Sequence, residues 1–222
     1  MSYFSKEFIK FFKELSKNNE REWFHANKKR YETHVKNPFK EFVTLMIDEV
    51  QKVDPSVVIA PKDAIFRINR DIRFSKDKTP YKTNVSAAIS AGGKKDHTRP
   101  GIYFEMGHKN FGIYSGCYMP DKNQLERIRY AMAEEPKQFA KIISSKKFKS
   151  MWGEIQGDKN KRIPKEFHEA LEIQPLIANK QFYVMAKFDV DKILDPKLPK
   201  LIMNYYKSAK PMGDFFMEAI YK

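Results

Sequence analysis

The chain has 222 residues, of which 41% are hydrophobic and 14% aromatic, with 18 Phe and 11 Tyr, so it is long enough to bury a proper core and too apolar to be disordered. Its 42 Lys and Arg against 28 Asp and Glu give +14, which favours anionic partners (nucleic acid, nucleotides, phosphorylated metabolites, an anionic membrane surface) and is equally met in proteins whose Lys-rich face serves solubility alone. The lone Cys117 excludes a disulfide framework and a Cys-based metal cluster within one chain and, with no signal-peptide pattern, favours a reducing, cytoplasmic setting; no apolar run approaches the roughly 20 residues that span a bilayer.

Taken in order, the first 52 residues read as helices. Ser5 caps a helix to about Ser16, with Phe8, Phe11, Phe12 and Leu15 on one stripe. Asn19 with Glu22 forms a capping-box pattern for a second helix over 20–35, with Phe24, Tyr31 and Val35 buried and Trp23 packed beside them. His25 and His34, nine residues apart, face different ways and so do not form a metal pair. Asn37-Pro38 breaks the chain, and Pro38 opens a third helix whose Phe39, Phe42, Val43, Met46, Ile47 and Val50 follow helical spacing.

After Asp54-Pro55 the texture turns to β. The pattern predicts strands over 57–60, 64–74 and 84–90, an exposed loop over 91–100, and a hairpin of 101–106 with 111–119 about Gly107-His108-Lys109-Asn110. Tyr103, Glu105, Tyr114 and Tyr118 give that sheet an aromatic, partly polar face, while Cys117 reads as a packed thiol in mid-strand. Asp121 with Gln124 opens a helix to about 134, and Pro136 starts another. Residues 146–165 read as loop and turn, followed by a short helix over 165–171 and an alternating strand over 181–190. Helices over 199–206 and 211–221 close the chain. Strands without intervening helices define an α+β fold with a largely antiparallel sheet. With no linker-like stretch, the expectation is one domain over 1–222: N-terminal helices about 5–52, sheet and motif about 57–119, and C-terminal helices with one strand about 120–222.

The densest chemistry lies in the 64–74 segment and the loop after it. As a strand, Phe66, Ile68, Arg70, Ile72 and Phe74 share one face, and Arg67, Asn69, Asp71 and Arg73 the other. Beyond it, Ser75 to Pro80 is turn chemistry. The run Arg67-x-x-Arg70-Asp71-x-Arg73-Phe74-x-x-x-Asp77-Lys78-x-x-Tyr81 resembles, position for position, the motif of a family catalogued as domain of unknown function 2461. Asn18-Asn19-x-x-Glu22-Trp23-Phe24, Pro38-Phe39, Pro80-Tyr81-Lys82 and the stretch from Gly116 to Pro120 extend the likeness along the chain. The resemblance implies one domain of about this length and a functional region around the motif, with no established activity, cofactor or catalytic residue.

From the residues themselves, Arg67, Arg70, Arg73, Lys76, Lys78 and Lys82 offer forked and mobile positive charge suited to phosphate. The first reading is therefore a basic pocket for a phosphate-containing ligand. Arg67 and Arg73 make direct contacts, Lys76 and Lys78 contacts from the loop, Asp71 or Asp77 organises them, and Tyr81 bonds into the site or anchors the loop after Pro80. Three others stand beside it. A buried Arg–Asp network can pin a strand with no ligand, and there Arg70 needs a carboxylate from elsewhere, since adjacent Asp71 points away. A metal-dependent enzyme acting on phosphodiester or phosphoryl groups would use Asp71, Asp77 and Glu105 or Asp63 to hold Mg²⁺, although no nuclease, kinase or P-loop spacing is present. A nucleic-acid-binding module would use interleaved basic and aromatic residues. Outside the enzyme reading no metal is expected, and no pattern sets an oligomeric state.

Overall fold

The computed structural model describes residues 2–221. Its elements are helices α1 (Lys6–Leu15), α2 (Arg21–Ala26), α3 (Lys28–Tyr31), α4 (Asn37–Gln51), α5 (Pro61–Ala64), α6 (Lys122–Glu134), α7 (Pro136–Ser144), α8 (Lys146–Trp152), α9 (His168–Ile173) and α10 (Leu198–Tyr221). Strands β1 (Asn84–Ile89), β2 (Ile102–Gly107), β3 (Phe111–Cys117) and β4 (Phe182–Phe188) form one antiparallel sheet in the order β1-β2-β3-β4. The α+β class and the antiparallel sheet are as expected. No helix among the described residues is long and apolar enough to cross a membrane.

The period-2 alternation splits the sheet into two unlike faces. Val85, Ala87, Phe104, Met106, Phe111, Ile113, Phe182 and Val184 are buried on one of them. There α4 brings Phe39 and Phe42 edge-on to Phe104, at ring separations of 6.0 and 5.8 Å, and α10 sets Phe216 5.3 Å from Phe182. Each fully buried Phe contributes about 1.5–3 kcal/mol of transfer free energy, so this face carries much of the fold's stability. Cys117 also points inward here, and burial pushes its thiol up to about 12. The opposite face bears Ser86, Tyr103, Glu105, Tyr114 and Tyr183, and two cavities open over it.

Several elements depart from expectation. The helix over 20–35 is broken at Asn27, whose side chain donates to the Trp23 carbonyl at 2.9 Å. Asn37-Pro38 does not interrupt the chain. A π-helical turn, Glu32–Lys36, precedes it, and the Asn37 N–H reaches back to the Glu32 carbonyl, so the helical path continues past a proline that lacks a donor. Asn19 caps nothing; its amide is committed elsewhere. By contrast, the Asp121–Gln124 capping box forms with both bonds at 2.9 Å.

Residues 146–152, expected as loop, form α8, because Ser145 caps Phe148 and the helix buries Phe148 and Trp152. The two closing helices are one. Pro211 sits exposed in α10, while the buried stripe of Tyr206, Ala209, Met212 and Phe216 runs through it, so packing outweighs the lost backbone bond.

The predicted strands over 57–60 and 64–74 do not form. Ile65 bridges Ala87 of β1, Phe66 N–H donates to the Ser86 carbonyl at 3.0 Å, and the segment then leaves the sheet. It doubles back on itself instead: Asn69 bridges Tyr81, Arg70 N–H donates to Pro80, and Lys82 N–H to Ile68. Asp71 and Asp77 bond to backbone N–H groups two residues on, at Arg73 and Thr79, and these local bonds replace a ladder.

Candidate functional site

Residues 65–82 are thus an irregular hairpin laid along the edge of β1, with 71–79 as its projecting loop. The alternation of the first arm survives in part: Ile68 is buried and Arg70 half-buried, whereas Arg67, Asn69, Asp71 and Arg73 are exposed. Phe74, placed by pattern on the side of Ile68, is 95% exposed at the loop tip, beside the Arg73 guanidinium.

The nine candidate residues separate into two groups. Arg70, Asp77, Tyr81 and Lys82 line one cleft of about 470 Å³, together with Asn19, Thr79, Asn84, Ser86, Tyr103 and Glu105. Arg67 stands next to that group, near enough for its charge to act on Lys82. Asp71, Arg73, Lys76 and Lys78 belong to the projecting loop, where Arg73 makes a two-pronged contact with Asp71 at 2.7 and 3.0 Å and Lys78 donates to the Ile72 carbonyl at 2.9 Å.

Arg70 is the organiser of the loop. Its guanidinium bonds the Asp77 carboxylate, the Thr79 hydroxyl and the Thr79 carbonyl, the last at 3.2 Å. Its carboxylate partner therefore comes from seven residues along the chain, not from Asp71. The Thr79 N–H and Arg70 together hold Asp77 at about 2, and Arg73 holds Asp71 at about 2. Both carboxylates stay ionised throughout the physiological range.

Lys82 differs from these paired groups. Its Nζ lies 5.4 Å from the centre of the Phe66 ring, and burial and Arg67 lower its pKa. Neither Arg67 nor Lys82 has an ion pair or side-chain hydrogen bond among the described residues. Lys82 is partly desolvated and feels two opposing charges, the exposed Arg67 guanidinium that lowers its pKa and the Glu105 carboxylate that raises it.

On the outer sheet face a second cavity, about 490 Å³, adjoins the first and shares Tyr103 and Glu105 with it. Phe66, Tyr103, Tyr114, Tyr118 and Tyr183 supply its aromatic walls, and Asp96, His97 and Arg99 of the 91–100 loop its far side. Glu105 is the hub. It accepts from the Tyr114 hydroxyl at 3.0 Å, the Tyr103 hydroxyl at 3.2 Å and the Asn84 amide at 3.4 Å. Burial pushes Tyr103 up to about 12, and burial with Glu105 raises Tyr114 further, so both phenols remain hydrogen-bond donors. Gly112 makes this possible, since a Cβ there would lie 2.8 Å from the Tyr114 ring.

Among the contributors that escaped the sequence reading are Asn19, Phe66 as a wall, and Tyr183. The last had a signal. Phe182, Val184 and Ala186 alternate as the inward set of β4, which puts Tyr183 on the outer face. The metal-ligand set of the enzyme reading is not assembled; among the described residues no group of three or more His, Cys, Asp and Glu side chains is placed to hold an ion.

Fold and site together define an α+β protein with an antiparallel sheet whose outer face opens into adjoining polar and aromatic cavities. The chain belongs to the family described as conserved hypothetical protein (DUF2461), whose model matches residues 7–215 and so spans both cavities. Comparison with curated proteins and with solved structures gives no significant match.

Proposed function

We propose that the protein binds a phosphate-containing ligand in the polar cleft, with Lys82 from its wall and Arg67 from beside it as the anion contacts. The observation that carries this reading is the nearness of those two cations, Lys82 partly desolvated and Arg67 exposed, neither of them held in an ion pair or side-chain hydrogen bond among the described residues. A dianionic group between them would relieve their repulsion and accept from both donors. Asn19, Ser86 and Thr79 line the same cleft and add neutral hydrogen-bonding groups. Arg70 and Asp77 serve as organisers, which absorbs the structural-network reading: their bonds to each other and to Thr79 hold the loop without a ligand. Arg73, committed to Asp71 in solvent, is not a contact. The cytoplasmic setting and a single domain over the whole chain remain part of this proposal.

Thermal shift with inorganic phosphate, pyrophosphate and short oligonucleotides tests it, at two salt concentrations, with and without Mg²⁺. Ligand at 100 times its Kd stabilises the wild type by about 2.7 kcal/mol. That rise is lost in Lys82→Met with Arg67→Met and kept in Arg73→Ala. A rise that persists in the double variant, or none with any phosphate compound, overturns the reading. A steep log-linear loss of oligonucleotide binding with salt would instead favour the nucleic-acid module.

A further inference from the structure

The aromatic cavity is larger than a phosphate needs and chemically unlike the cleft beside it. We propose that the ligand is a nucleoside phosphate, its base seated among the tyrosines of the outer sheet face with an N–H edge turned to Glu105. The phosphate end of this inference rests on the function proposed above; the base end rests on the cavity alone.

Three features argue for it. The first is the walls. Tyr103 meets Tyr114 edge-on at 5.4 Å, and Tyr118 meets Tyr183 edge-on at 5.5 Å. Such walls suit a flat, polarisable ring, which any base provides. A cavity of about 490 Å³ is of the size that encloses a small molecule, and the 91–100 loop closes its far side, which suits one base better than a continuous strand.

The second is Glu105. A carboxylate only accepts, so whatever lies over it must bring donors. It has no ion-pair partner among the described residues, and its bonds to Tyr103, Tyr114 and Asn84 fix its orientation without neutralising it. Adenine, guanine and cytosine each present an exocyclic amino group to such an acceptor; uracil presents only a ring N–H.

The third is contiguity. Phe66 touches both sides, with Lys82 Nζ 5.4 Å from its centre and the Tyr103 ring 5.9 Å away. Tyr103 and Glu105 border both cavities, so a phosphate at Lys82 and a ring against Tyr103 fall on the two sides of one side chain. Sugar between them would cross over Glu105.

The test is calorimetric titration of adenosine, guanosine, cytidine and uridine monophosphates, the free nucleosides, ribose 5-phosphate and inorganic phosphate. The proteins are wild type, Glu105→Gln, Tyr183→Ala and Lys82→Met, each checked for folding by circular dichroism. At least one amino-bearing nucleotide should bind roughly tenfold or more tightly than ribose 5-phosphate. Tyr183→Ala should erase that margin and leave ribose 5-phosphate binding unchanged, and Glu105→Gln, which borders both cavities, should narrow the margin between the amino-bearing nucleotides and uridine monophosphate. Ribose 5-phosphate binding as tightly as every nucleotide overturns the base site while the phosphate reading stands. Nucleosides binding as tightly as nucleotides, with no effect of Lys82→Met, support the base cavity and overturn the phosphate reading. Absence of binding by every compound overturns both.

Discussion

The side-chain amide of Asn19 closes a ring on the backbone of Tyr81. Its Nδ2 donates to the Tyr81 carbonyl at 2.9 Å, and its Oδ1 accepts the Tyr81 N–H at 3.1 Å, across 62 residues of sequence. Phe24 stacks on the Tyr81 ring at 4.1 Å, so the N-terminal helices grip the returning arm of the motif by backbone and ring together. Asn19→Ala leaves two backbone groups in a half-buried place and should cost about 1–2 kcal/mol in urea unfolding. Asn19→Asp keeps the acceptor but sets a carboxylate against a carbonyl, and should be no better than Ala. A neutral Asn19→Ala would mean that the stacked rings alone hold the arm.

Arg70 and Arg73 carry equal charge in the same motif, yet their surroundings predict opposite outcomes. Arg70 joins Asp77, Ser75 and Thr79 and so ties the two ends of the projecting loop. Arg73 reaches Asp71, two residues away and in solvent, and the adjacent exposed Phe74 ring. Arg70→Ala should lower the melting temperature and speed proteolytic cleavage within 71–79; Arg73→Ala should change neither. Surface ion pairs contribute little, and local ones least. Equal behaviour of the two variants would remove Arg70 from its organising role.

This contrast also marks how far the sequence could be read. Helical stripes such as Phe8, Phe11, Phe12 and Leu15, and the alternation of Phe182 and Val184, pointed to buried faces because burial follows local periodicity. The aromatic outer face around Tyr103, Glu105 and Tyr114 was legible for the same reason. The motif segment was not, because alternation predicts which side chains share a side but not whether a neighbouring strand supplies a ladder. Ile65 meets β1 and Asn69 meets Tyr81, and nothing local distinguishes that path from a strand. The Asn19 clamp and the Arg70–Asp77 pairing are tertiary choices; the Asn19-x-x-Glu22 spacing pointed to a helix cap that the fold declined. Pro38 opens α4 as its position predicts, but a π turn absorbs the break expected before it, and at Pro211 a continuous buried stripe does the same within α10.

Asp71 and Asp77 predict an acid transition confined to the loop. Both are held at about 2 from an ordinary value of 3.8. Between those values the unfolded chain binds more protons than the folded one, so the contribution is fully present above about pH 4 and is lost as pH falls through 2. Proteolytic cutting at 71–79, followed with an acid protease, should rise across pH 4 to 2. Asp77→Asn should show the open-loop rate already at pH 5. Because these groups are solvent-exposed, 1 M salt should blunt the pH dependence in the wild type. A loop equally protected at pH 2 and pH 5 would contradict the assignment.

Lys82 predicts the alkaline counterpart. Burial and Arg67 lower its pKa from 10.5, so the folded protein gives up this proton earlier than the unfolded chain does. Its contribution to stability therefore rises with pH there, as a crowded ammonium is neutralised. Anion binding runs the other way, since it uses the charged form. Affinity for inorganic phosphate should fall with rising pH, beginning below 10.5, and Lys82→Arg should hold it constant over the same range. An identical fall in Lys82→Arg would assign the titration to another group.

Gly112 offers a handle on Glu105 that leaves both cavities' charges in place. An alanine Cβ at this position would lie 2.8 Å from the Tyr114 ring and 3.0 Å from its hydroxyl, while Tyr114 as it stands donates to Glu105 at 3.0 Å. The ring is the movable partner, so Gly112→Ala should swing it toward solvent and break that bond, at a cost of about 1 kcal/mol. Burial and the Glu105 charge are what raise the Tyr114 pKa, so a displaced phenol should ionise closer to 10. Absorbance at about 295 nm, the phenolate band, should show one tyrosine moving to lower pH in Gly112→Ala, with Tyr114→Phe removing that same step. If both titrations overlay the wild type, Tyr114 is not held by Glu105, and Glu105 then meets a ligand with one phenol fewer to orient it.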